Sequence, residues 1–226
     1  MKITYYGQNT FSFETENGTI LSDPFITGND LAKDKVDIDK LEADFILVTH
    51  AHQDHMLDVE AIAKRTGGLI ITNYEIANYY EEKGLKVHGM NHGGRQNFDF
   101  GSAKYVIAHH SSSFPDGTYG GNPGGFVLQV DGKTIYLAGD TSLTMDMKLI
   151  ADEFQVDLAI LPLGDNFTMG MQDAVRASDF VQCDKVLGCH YDTFPPIEID
   201  HQEARDFFNN AGKELFLPEI GSSIEI

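Results

Sequence analysis

The chain has 226 residues, of which 42% are hydrophobic and 23% charged, and its formal net charge is −19. This length and composition predict one compact α/β domain over residues 1–226, and no apolar run approaches the ~20 residues that a membrane-spanning helix needs. An acidic surface repels a phosphate backbone, which argues against nucleic-acid binding. A small anionic substrate is still compatible, because bound divalent cations reverse the potential locally.

The N-terminal pattern and the cysteines bear on the cellular compartment. Met1–Tyr6 enters a strand-like pattern at once and lacks the apolar core and cleavage site of a signal peptide. Cys183 and Cys189 do not make a disulfide framework in a chain of this size. We therefore expect a cytoplasmic protein with reduced thiols and no membrane attachment, and a homo-oligomer is compatible with the sequence.

The first half of the chain opens with strands. Ile3–Tyr6, Thr10–Glu14 and Thr19–Ser22 are predicted strands, and Asn17-Gly18 is a hairpin signal. Residues 26–43 are predicted as a loop with one short helix. The elements that follow are strand Phe45–Thr49, helix Asp58–Arg65, strand Leu69–Thr72, helix Tyr74–Lys83 and strands Lys86–Gly89, Asn97–Asp99 and Lys104–His109.

The second half repeats this layout without repeating the sequence. Phe126–Val130 and Thr134–Ala138 flank Asp131-Gly132, which predicts a hairpin. The elements after it are helix Met145–Phe154, strand Leu158–Leu163, helix Gln172–Val181, strand Lys185–Cys189, helix Gln202–Asn210 and a short strand near Phe216. Meandering strands followed by strand–helix alternation in each half predict two mixed sheets packed face to face, with helices outside.

Three histidines and an aspartate directly follow the predicted strand Phe45–Thr49, as His50, His52, Asp54 and His55. Neutral imidazole is the commonest ligand for transition metals, and a carboxylate adds a hard oxygen donor. In an extended chain His50 and His52 point the same way, whereas the adjacent Asp54 and His55 diverge. This segment alone can therefore supply ligands to two metal ions ~3.5–4 Å apart.

Further ligand-type residues stand directly after apolar runs, where loops gather into sites. They are His109-His110, Asp140 and His190. Any one of them alone reads as a polar residue at the end of a strand, but together with the histidine cluster they predict one complete metal site. Strand alternation places His109 and His110 on opposite faces, so only one of the two is expected to bind metal.

The order of these residues resembles the metallo-β-lactamase superfamily over essentially the whole chain: His50-x-His52-x-Asp54-His55, a later histidine, Gly139-Asp140-Thr141 and a final histidine. More narrowly, the chain resembles the bacterial metal-dependent hydrolases related to ascorbate-6-phosphate lactonase. That likeness rests on four segments: Ser22–Phe25, Ala138–Thr141, Leu163–Gly170 and His190–Pro195. The resemblance implies an α/β fold that is a four-layer αββα sandwich, with the site at one edge.

The resemblance also implies a ligand set. His50, His52 and His110 would bind the first metal, while Asp54, His55 and His190 would bind the second, with Asp140 bridging both. His110 is preferred to His109 because the family ligand stands just before a small-residue and serine run, here Ser111–Ser113. Two divalent metal ions are expected as cofactors. Zinc suits the histidine-rich centre, and manganese and iron are alternatives.

The implied activity is metal-dependent hydrolysis of a small ester, lactone or phosphodiester by a hydroxide that bridges the metals. Asp54 is also a candidate catalytic residue, passing a proton to the leaving group. The alternative is a non-hydrolytic member of the same fold, either a redox enzyme or a metal-binding regulatory protein. A nucleophilic serine within Ser111–Ser113 is disfavoured, because no nucleophile-elbow glycines surround it.

Three further residues are candidates for supporting roles. Asp23 is predicted to orient a ligand histidine, and Asn166, in the loop after Leu158–Leu163, to line the pocket. His92 is either a substrate contact at the cleft or, like His88, a structural histidine. One departure from the family stands near the N-terminus, where Gly7-Gln8-Asn9 replaces a frequent Gly-His-Ser. Glutamine cannot replace that histidine as a base.

Overall fold

The computed structural model describes all 226 residues. The strands are, in chain order, β1 (Lys2–Tyr5), β2 (Phe11–Thr15), β3 (Gly18–Ser22), β4 (Phe45–Leu47), β5 (Leu69–Asn73), β6 (Val87–Met90), β7 (Arg95–Phe98), β8 (Gly101–Ile107), β9 (Gly124–Val130), β10 (Lys133–Leu137), β11 (Leu158–Pro162), β12 (Lys185–Cys189), β13 (Glu214–Phe216) and β14 (Ser223–Glu225). The helices are α1 (Gln53–Met56), α2 (Val59–Thr66), α3 (Tyr74–Glu81), α4 (Met147–Glu153), α5 (Met171–Phe180) and α6 (His201–Asn210), with short 3-10 helices at Ile38–Lys40 and Pro195–Ile197. None of these helices has the length and apolar character needed to cross a bilayer.

The strands form two seven-stranded sheets, with spatial orders β14-β1-β2-β3-β4-β5-β6 and β13-β12-β11-β10-β9-β8-β7. Each sheet has an antiparallel part made of meandering strands and a parallel part whose strands alternate with helices. The predicted α/β sandwich of two mixed sheets is therefore confirmed. Strands β8, β10, β11 and β12 all point the same way, so their carboxyl ends lie at one edge of the second sheet.

Side-chain alternation along the strands explains the layers. Ile20 packs in the core that lies between the two sheets, whereas its neighbour Leu21 packs in a second core beneath α2 and α3. In the same way Phe45 and Leu47 face the other sheet while Ile46 faces the helices. A strand buried on both faces needs a continuous apolar sequence. Each such side chain contributes about 1.5–3 kcal/mol when it is fully buried.

The β9–β10 hairpin turns at Asp131-Gly132 as predicted, with φ of +49° and +72° at the two turn residues. A two-residue hairpin turn with both φ values positive matches the right-handed twist of its strands. In the β2–β3 hairpin the turn residues are Glu16-Asn17, one position earlier than the sequence signal, because Gly18 already pairs with Thr15.

Three local expectations were wrong. Strand β8 ends at Ile107, so His109 and His110 lie in the loop that follows it. Helix α1 was not predicted, since a single turn carries no periodic signal. Strand β14 was missed because its sequence, Ser-Ile-Glu, is short and mostly exposed, and only pairing with β1 makes it a strand.

Candidate metal centre

Four loops bring the predicted ligands to one edge of the sandwich. His50 follows β4, and His110, Asp140 and His190 follow β8, β10 and β12. Helix α1 begins two residues after Ala51 and carries Asp54 and His55. The side chains form two groups, and within each group the candidate ligand atoms lie within 4.8 Å of one another. The groups are His50, His52 and His110, and Asp54, His55, Asp140 and His190.

The first group consists of histidines alone. The Nε2 atom of His50 lies 3.0 Å from Nδ1 of His52, and the His110 ring lies 5.1 to 5.2 Å from the rings of both. Burial, followed by the charge of His55, lowers the pKa of His50 and of His52. Burial also lowers the pKa of His110, against the charge of Asp140. The group therefore offers neutral imidazoles, which is the form that binds metal.

The second group combines two histidines with two carboxylates. Nε2 of His190 lies 2.9 Å from Oδ2 of Asp140 and 3.7 Å from Oδ2 of Asp54. Burial alone lowers the pKa of a histidine. Here the carboxylates, Asp140 foremost, outweigh burial, raising the pKa of His190 to about 9 and that of His55 well above its usual value. Burial favours the neutral form of the two aspartates, but the histidines outweigh it and lower the pKa of both.

Asp140 stands between the two groups. Its Oδ2 atom lies 4.0 and 3.7 Å from Nε2 of His50 and His110, and 3.3 Å from Nε2 of His55. The preceding Gly139 has φ +65°, and a Cβ there would lie 2.9 Å from the carbonyl oxygen of Gly124. Only glycine fits this turn, which places the one shared carboxylate at the centre of the cluster.

Asp23 fixes the orientation of His55. Its Oδ1 accepts from the backbone N–H of Thr49 at 2.8 Å, and its Oδ2 accepts from the Thr49 hydroxyl at 2.7 Å. The same Oδ2 lies 2.9 Å from Nδ1 of His55, so the opposite ring nitrogen, Nε2, turns towards the centre. That Nε2 atom is buried and has no hydrogen-bond partner. A metal ion is the partner that the chemistry of the surrounding donors fits.

Two residues that contact the carboxylates of the site, Gln8 and Asn9, were not predicted from the sequence. The side-chain amide of Gln8 donates to Oδ2 of Asp54 at 2.8 Å, and that of Asn9 donates to Oδ1 of Asp140 at 2.8 Å. Both side chains are fully buried. The only signal in the sequence was the departure of Gly7-Gln8-Asn9 from the family pattern, which was judged by what glutamine lacks as a base and not by what it donates.

Of the two adjacent histidines, the structure brings His110 into the cluster and leaves His109 outside it. Nε2 of His109 faces Oδ2 of Asp146 at 3.3 Å and the hydroxyl of Thr144 at 3.4 Å. Half of the His109 side chain is exposed, whereas that of His110 is 15% exposed. The two side chains diverge as the strand argument predicted, although the strand itself ends before them.

His92 does not join the cluster. Its Nε2 lies 2.9 Å from the carbonyl oxygen of Pro123, and its ring stacks on Tyr105 at 5.3 Å. It lines a separate cavity of about 310 Å³ under α4 that none of the seven ligand candidates lines. The structure therefore does not bring His92 to the ligand candidates, and its role as a substrate contact stays a prediction. Structural stacking is the role the contacts give it.

Asn166 lies on an exposed turn with φ +51°, and its backbone N–H donates to Oδ1 of Asp165 at 2.8 Å. The turn is tied to the site's neighbourhood, because the N–H of Met169 donates to the carbonyl oxygen of Thr141 at 3.1 Å. Thr141 directly follows Asp140, so residues 164–170 form a loop beside the metal-binding edge. Phe167 in this loop is 53% exposed.

Comparisons with known proteins agree with this fold. A family model described as the beta-lactamase superfamily domain matches residues 2–190. A UPF0173 metal-dependent hydrolase of Christiangramia forsetii is 64% identical over 100% of both chains, and one of Flavobacterium johnsoniae is 58% identical, also over 100% of both. The solved structure of Igni18, a metallo hydrolase from the archaeon Ignicoccus hospitalis, has a TM-score of 0.90 at 33% identity, covering 99% of this chain and 97% of that one.

The fold and the grouped ligands define a metallo-hydrolase class of protein, and they confirm the predicted fold class and resemblance. The chain belongs to the metallo-β-lactamase superfamily and, within it, to the UPF0173 metal-dependent hydrolases. It is accordingly a metal-dependent hydrolase, and its clustered histidines and aspartates support the use of a divalent metal.

Proposed function

We propose that the protein is a binuclear hydrolase that cleaves a small ester, lactone or phosphodiester. The observation that carries this proposal is the pair of adjacent ligand groups that share Asp140. His50, His52 and His110 would hold the first metal, and Asp54, His55 and His190 the second. Hydrolase relatives favour this activity over the redox or purely metal-binding alternative.

The chemistry of the donors supports zinc at the histidine group, while a centre with a shared carboxylate also accommodates manganese or iron. Bound divalent ions there would make hydroxide available near neutral pH and stabilise the negative charge that develops on the substrate oxygen. The remaining task of the protein is to orient the ligands, admit the substrate and move a proton.

The exposure of the ligands indicates the direction of substrate approach. The side chains of His50, His55 and His190 are at most 3% exposed, whereas that of Asp54 is 22% exposed. His52 and His110 are also partly accessible. The substrate therefore approaches across His52, Asp54 and His110. The exposed loop at residues 164–170, which carries Asn166, is our candidate for a wall of the pocket.

Asp54 is our candidate for proton transfer. It lies at the accessible side of the cluster, and its Oδ2 is held by Gln8, which leaves Oδ1 free of protein hydrogen bonds. Burial favours the neutral form of this carboxyl, but the charge of His55 and the hydrogen bond from His190 outweigh it and lower the pKa, so the carboxyl is ionised near neutral pH and would carry a proton only in passing. A carboxylate in this position can pass that proton to the departing oxygen of the substrate.

Residues 1–226 are proposed to form one domain, because β14 near the end of the chain pairs with β1 at its start. Cys183 and Cys189 are both buried and unpaired, which supports a reducing, cytoplasmic location. A net charge of −19 supports a small-molecule substrate over a nucleic acid. It does not oppose an anionic substrate if metals occupy the cluster.

Metal analysis after anaerobic purification, followed by a screen of lactones, thioesters and phosphodiesters, tests the proposal. We expect two metals per chain and turnover of one of these classes. His52→Ala and Asp54→Ala should each lose metal and turnover, whereas His88→Ala, at a ring that packs edge-on against Phe98, should retain both. Full metal content and full turnover in His52→Ala and Asp54→Ala would show that the site is assigned wrongly. A chain that binds no metal even after reconstitution would contradict the activity.

A further inference from the structure

The turn Gly7-Gln8-Asn9, between β1 and β2, reaches both carboxylates of the second ligand group. Gln8 Nε2 donates to Asp54 Oδ2, and Asn9 Nδ2 donates to Asp140 Oδ1, both at 2.8 Å. No other amide, hydroxyl or backbone N–H donates to either carboxylate. These two consecutive side chains are therefore the donors that fix both acidic ligands.

The backbone of this turn is held independently of its side-chain amides. Gln8 has φ +52°, a left-handed conformation that costs a non-glycine residue about 1–2 kcal/mol. Its carbonyl oxygen accepts from the N–H of His190 at 3.0 Å, and the N–H of Thr10 donates to the Gly7 carbonyl at 2.9 Å. The Thr10 hydroxyl also donates to the carbonyl oxygen of Asp23 at 2.8 Å. A side-chain substitution at Gln8 can thus remove the amide and keep the turn.

The carboxamides have one favourable orientation each. If either amide were reversed, its carbonyl oxygen would face a carboxylate oxygen and be repelled. In the orientation found, the carbonyl oxygens of both side chains are buried without a hydrogen-bond partner. Each such unmet acceptor costs about 1–3 kcal/mol. The carboxylates, rather than the remaining surroundings, therefore determine where these amides point.

We propose that Gln8 and Asn9 are positioning residues that pre-organise the carboxylates for metal binding, an inference that rests on the proposed ligand set. Asp54 stands on α1, a helix of one turn, and apart from the neighbouring ligand histidines its carboxylate has no donor other than Gln8 to hold it. Asn9 occupies Oδ1 of Asp140 and leaves Oδ2 directed at the histidines of both groups. An uncharged donor fixes each carboxylate without adding charge to the centre.

The two residues should differ in which metal they affect. Gln8 acts on Asp54, which belongs to the second group alone, whereas Asn9 acts on Asp140, which both groups share. Removing the amide of Gln8 should lower the affinity for the second metal alone, by about 10–100-fold as is usual for partners of metal ligands. Removing the amide of Asn9 should lower the affinity for both metals.

Cobalt(II) titration of the full chain, followed by visible absorption and by competition with a chelator, measures these affinities. Two backgrounds separate the groups: His110→Ala leaves the second group complete, and His190→Ala leaves the first complete. Gln8→Met, which keeps the length and removes the donor, should weaken cobalt binding about 10–100-fold in the first background and less than twofold in the second. Gln8→His places a ring N–H as many bonds from Cα as the glutamine amide N–H, so it should recover most of the lost cobalt affinity.

Tyr6→Phe is the matched control, since it removes a hydroxyl group at the same end of β1. That hydroxyl lies 3.2 Å from the hydroxyl of Ser12 and contacts no ligand candidate. It should change neither affinity. Gln8→Asn, whose amide is one methylene too short, provides a second test if Gln8→Met folds poorly. Equal affinities for Gln8→Met and the parent in the His110→Ala background would overturn the proposal. Equal losses in both backgrounds would also overturn it, because they indicate a general collapse of the turn. Metal binding as expected without any hydrolysis would instead contradict the proposed function alone.

Discussion

The two ligand groups differ in how ready they are to receive a metal. In the first, burial lowers the pKa of His50, His52 and His110, so each ring is neutral near neutral pH and has one unprotonated nitrogen. In the second, carboxylates raise the pKa of His55 and His190, so these rings carry protons that a metal must displace. The protonated rings of the second group therefore offset the negative charge of its two aspartates, a task that a bound cation would take over.

The groups also differ in their support. In the second group Asp23 holds His55, and Gln8 and Asn9 hold the two carboxylates. In the first group the outer contacts are hydroxyls, namely Thr49 at 3.1 Å from His50 and Ser111 at 3.4 Å from His52. Negative ligands repel one another and need fixed donors, whereas neutral imidazoles can be held largely by packing. The second group should therefore be the more sensitive to substitutions around it.

The largest effect is expected from Asp140→Asn, because this residue is common to both groups. An amide has lost the negative charge, and its NH₂ group cannot serve as a ligand. We expect the affinity for both metals to fall by more than the ~100-fold that loss of a supporting partner costs, and turnover to fall with it. Plasma emission analysis of the dialysed protein measures this, and loss of only one metal would show that Asp140 is not shared.

A smaller and selective effect is expected from Asp23→Asn. The carboxylate accepts from Nδ1–H of His55 and so leaves Nε2 free for metal. An asparagine side chain that keeps its oxygen on the Thr49 N–H presents its NH₂ group to His55, which shifts the ring proton to Nε2 and blocks the ligand atom. Cobalt affinity should fall about 10–100-fold at the second group and stay unchanged at the first. An equal loss of cobalt affinity at both groups, or no loss at the second, would contradict this role for Asp23.

The ligand candidates and one of their supports, Asp23, could be predicted from the sequence, but the supports Gln8 and Asn9 could not. Asp140 and His190 follow parallel strands of the second sheet, whose carboxyl ends meet at one edge, and His50 follows a strand of the first sheet. Gln8 and Asp54 are 46 positions apart, and Asn9 and Asp140 are 131 apart. Their contacts depend on how the β1–β2 turn docks across the sandwich, which no local pattern encodes.

The histidines that follow other strands show which expectations a sequence can support. His92 has the residue type and a glycine-rich setting that suggested a site contact, yet its ring stacks on Tyr105 and does not join the ligand candidates. The adjacent histidines after β8 could be divided into one ligand candidate and one outsider, because a change of face between neighbours is a local property. The division of His109 from His110 rests on local geometry, whereas the position of His92 depends on its packing against a distant part of the chain.

The pH dependence of metal uptake should also separate the groups. The pKa of His190 is raised to about 9, so below that value a metal entering the second group displaces a proton, and affinity should rise about tenfold per pH unit for each proton displaced. The first group is already unprotonated at neutral pH, so its affinity should be nearly constant between pH 7 and pH 9. Cobalt titrations of the His110→Ala and His190→Ala chains across this range measure the two slopes. Equal slopes would contradict the difference in protonation.

The smallest effect on activity is expected from Ser112→Ala. This substitution tests whether Ser112 only supports the loop that carries the ligand histidines or acts as a nucleophile. The Ser112 hydroxyl accepts from the N–H of Ala51 at 3.1 Å and donates to the carbonyl oxygen of Gly120 at 3.0 Å. Its removal leaves the N–H of Ala51 unpaired, whereas the carbonyl oxygen of Gly120 still accepts from the side-chain amide of Asn73 at 2.8 Å, so the free energy of unfolding should fall by about 1–3 kcal/mol. Turnover of the metal-loaded protein should change only a few-fold, because Ser112 contacts the loop backbone and no ligand atom.

Ser113→Ala serves as the control for stability, and denaturant unfolding with parallel kinetics separates the free energy of unfolding from turnover. A loss of turnover of about a thousandfold in Ser112→Ala with unfolding unchanged would instead indicate a covalent mechanism.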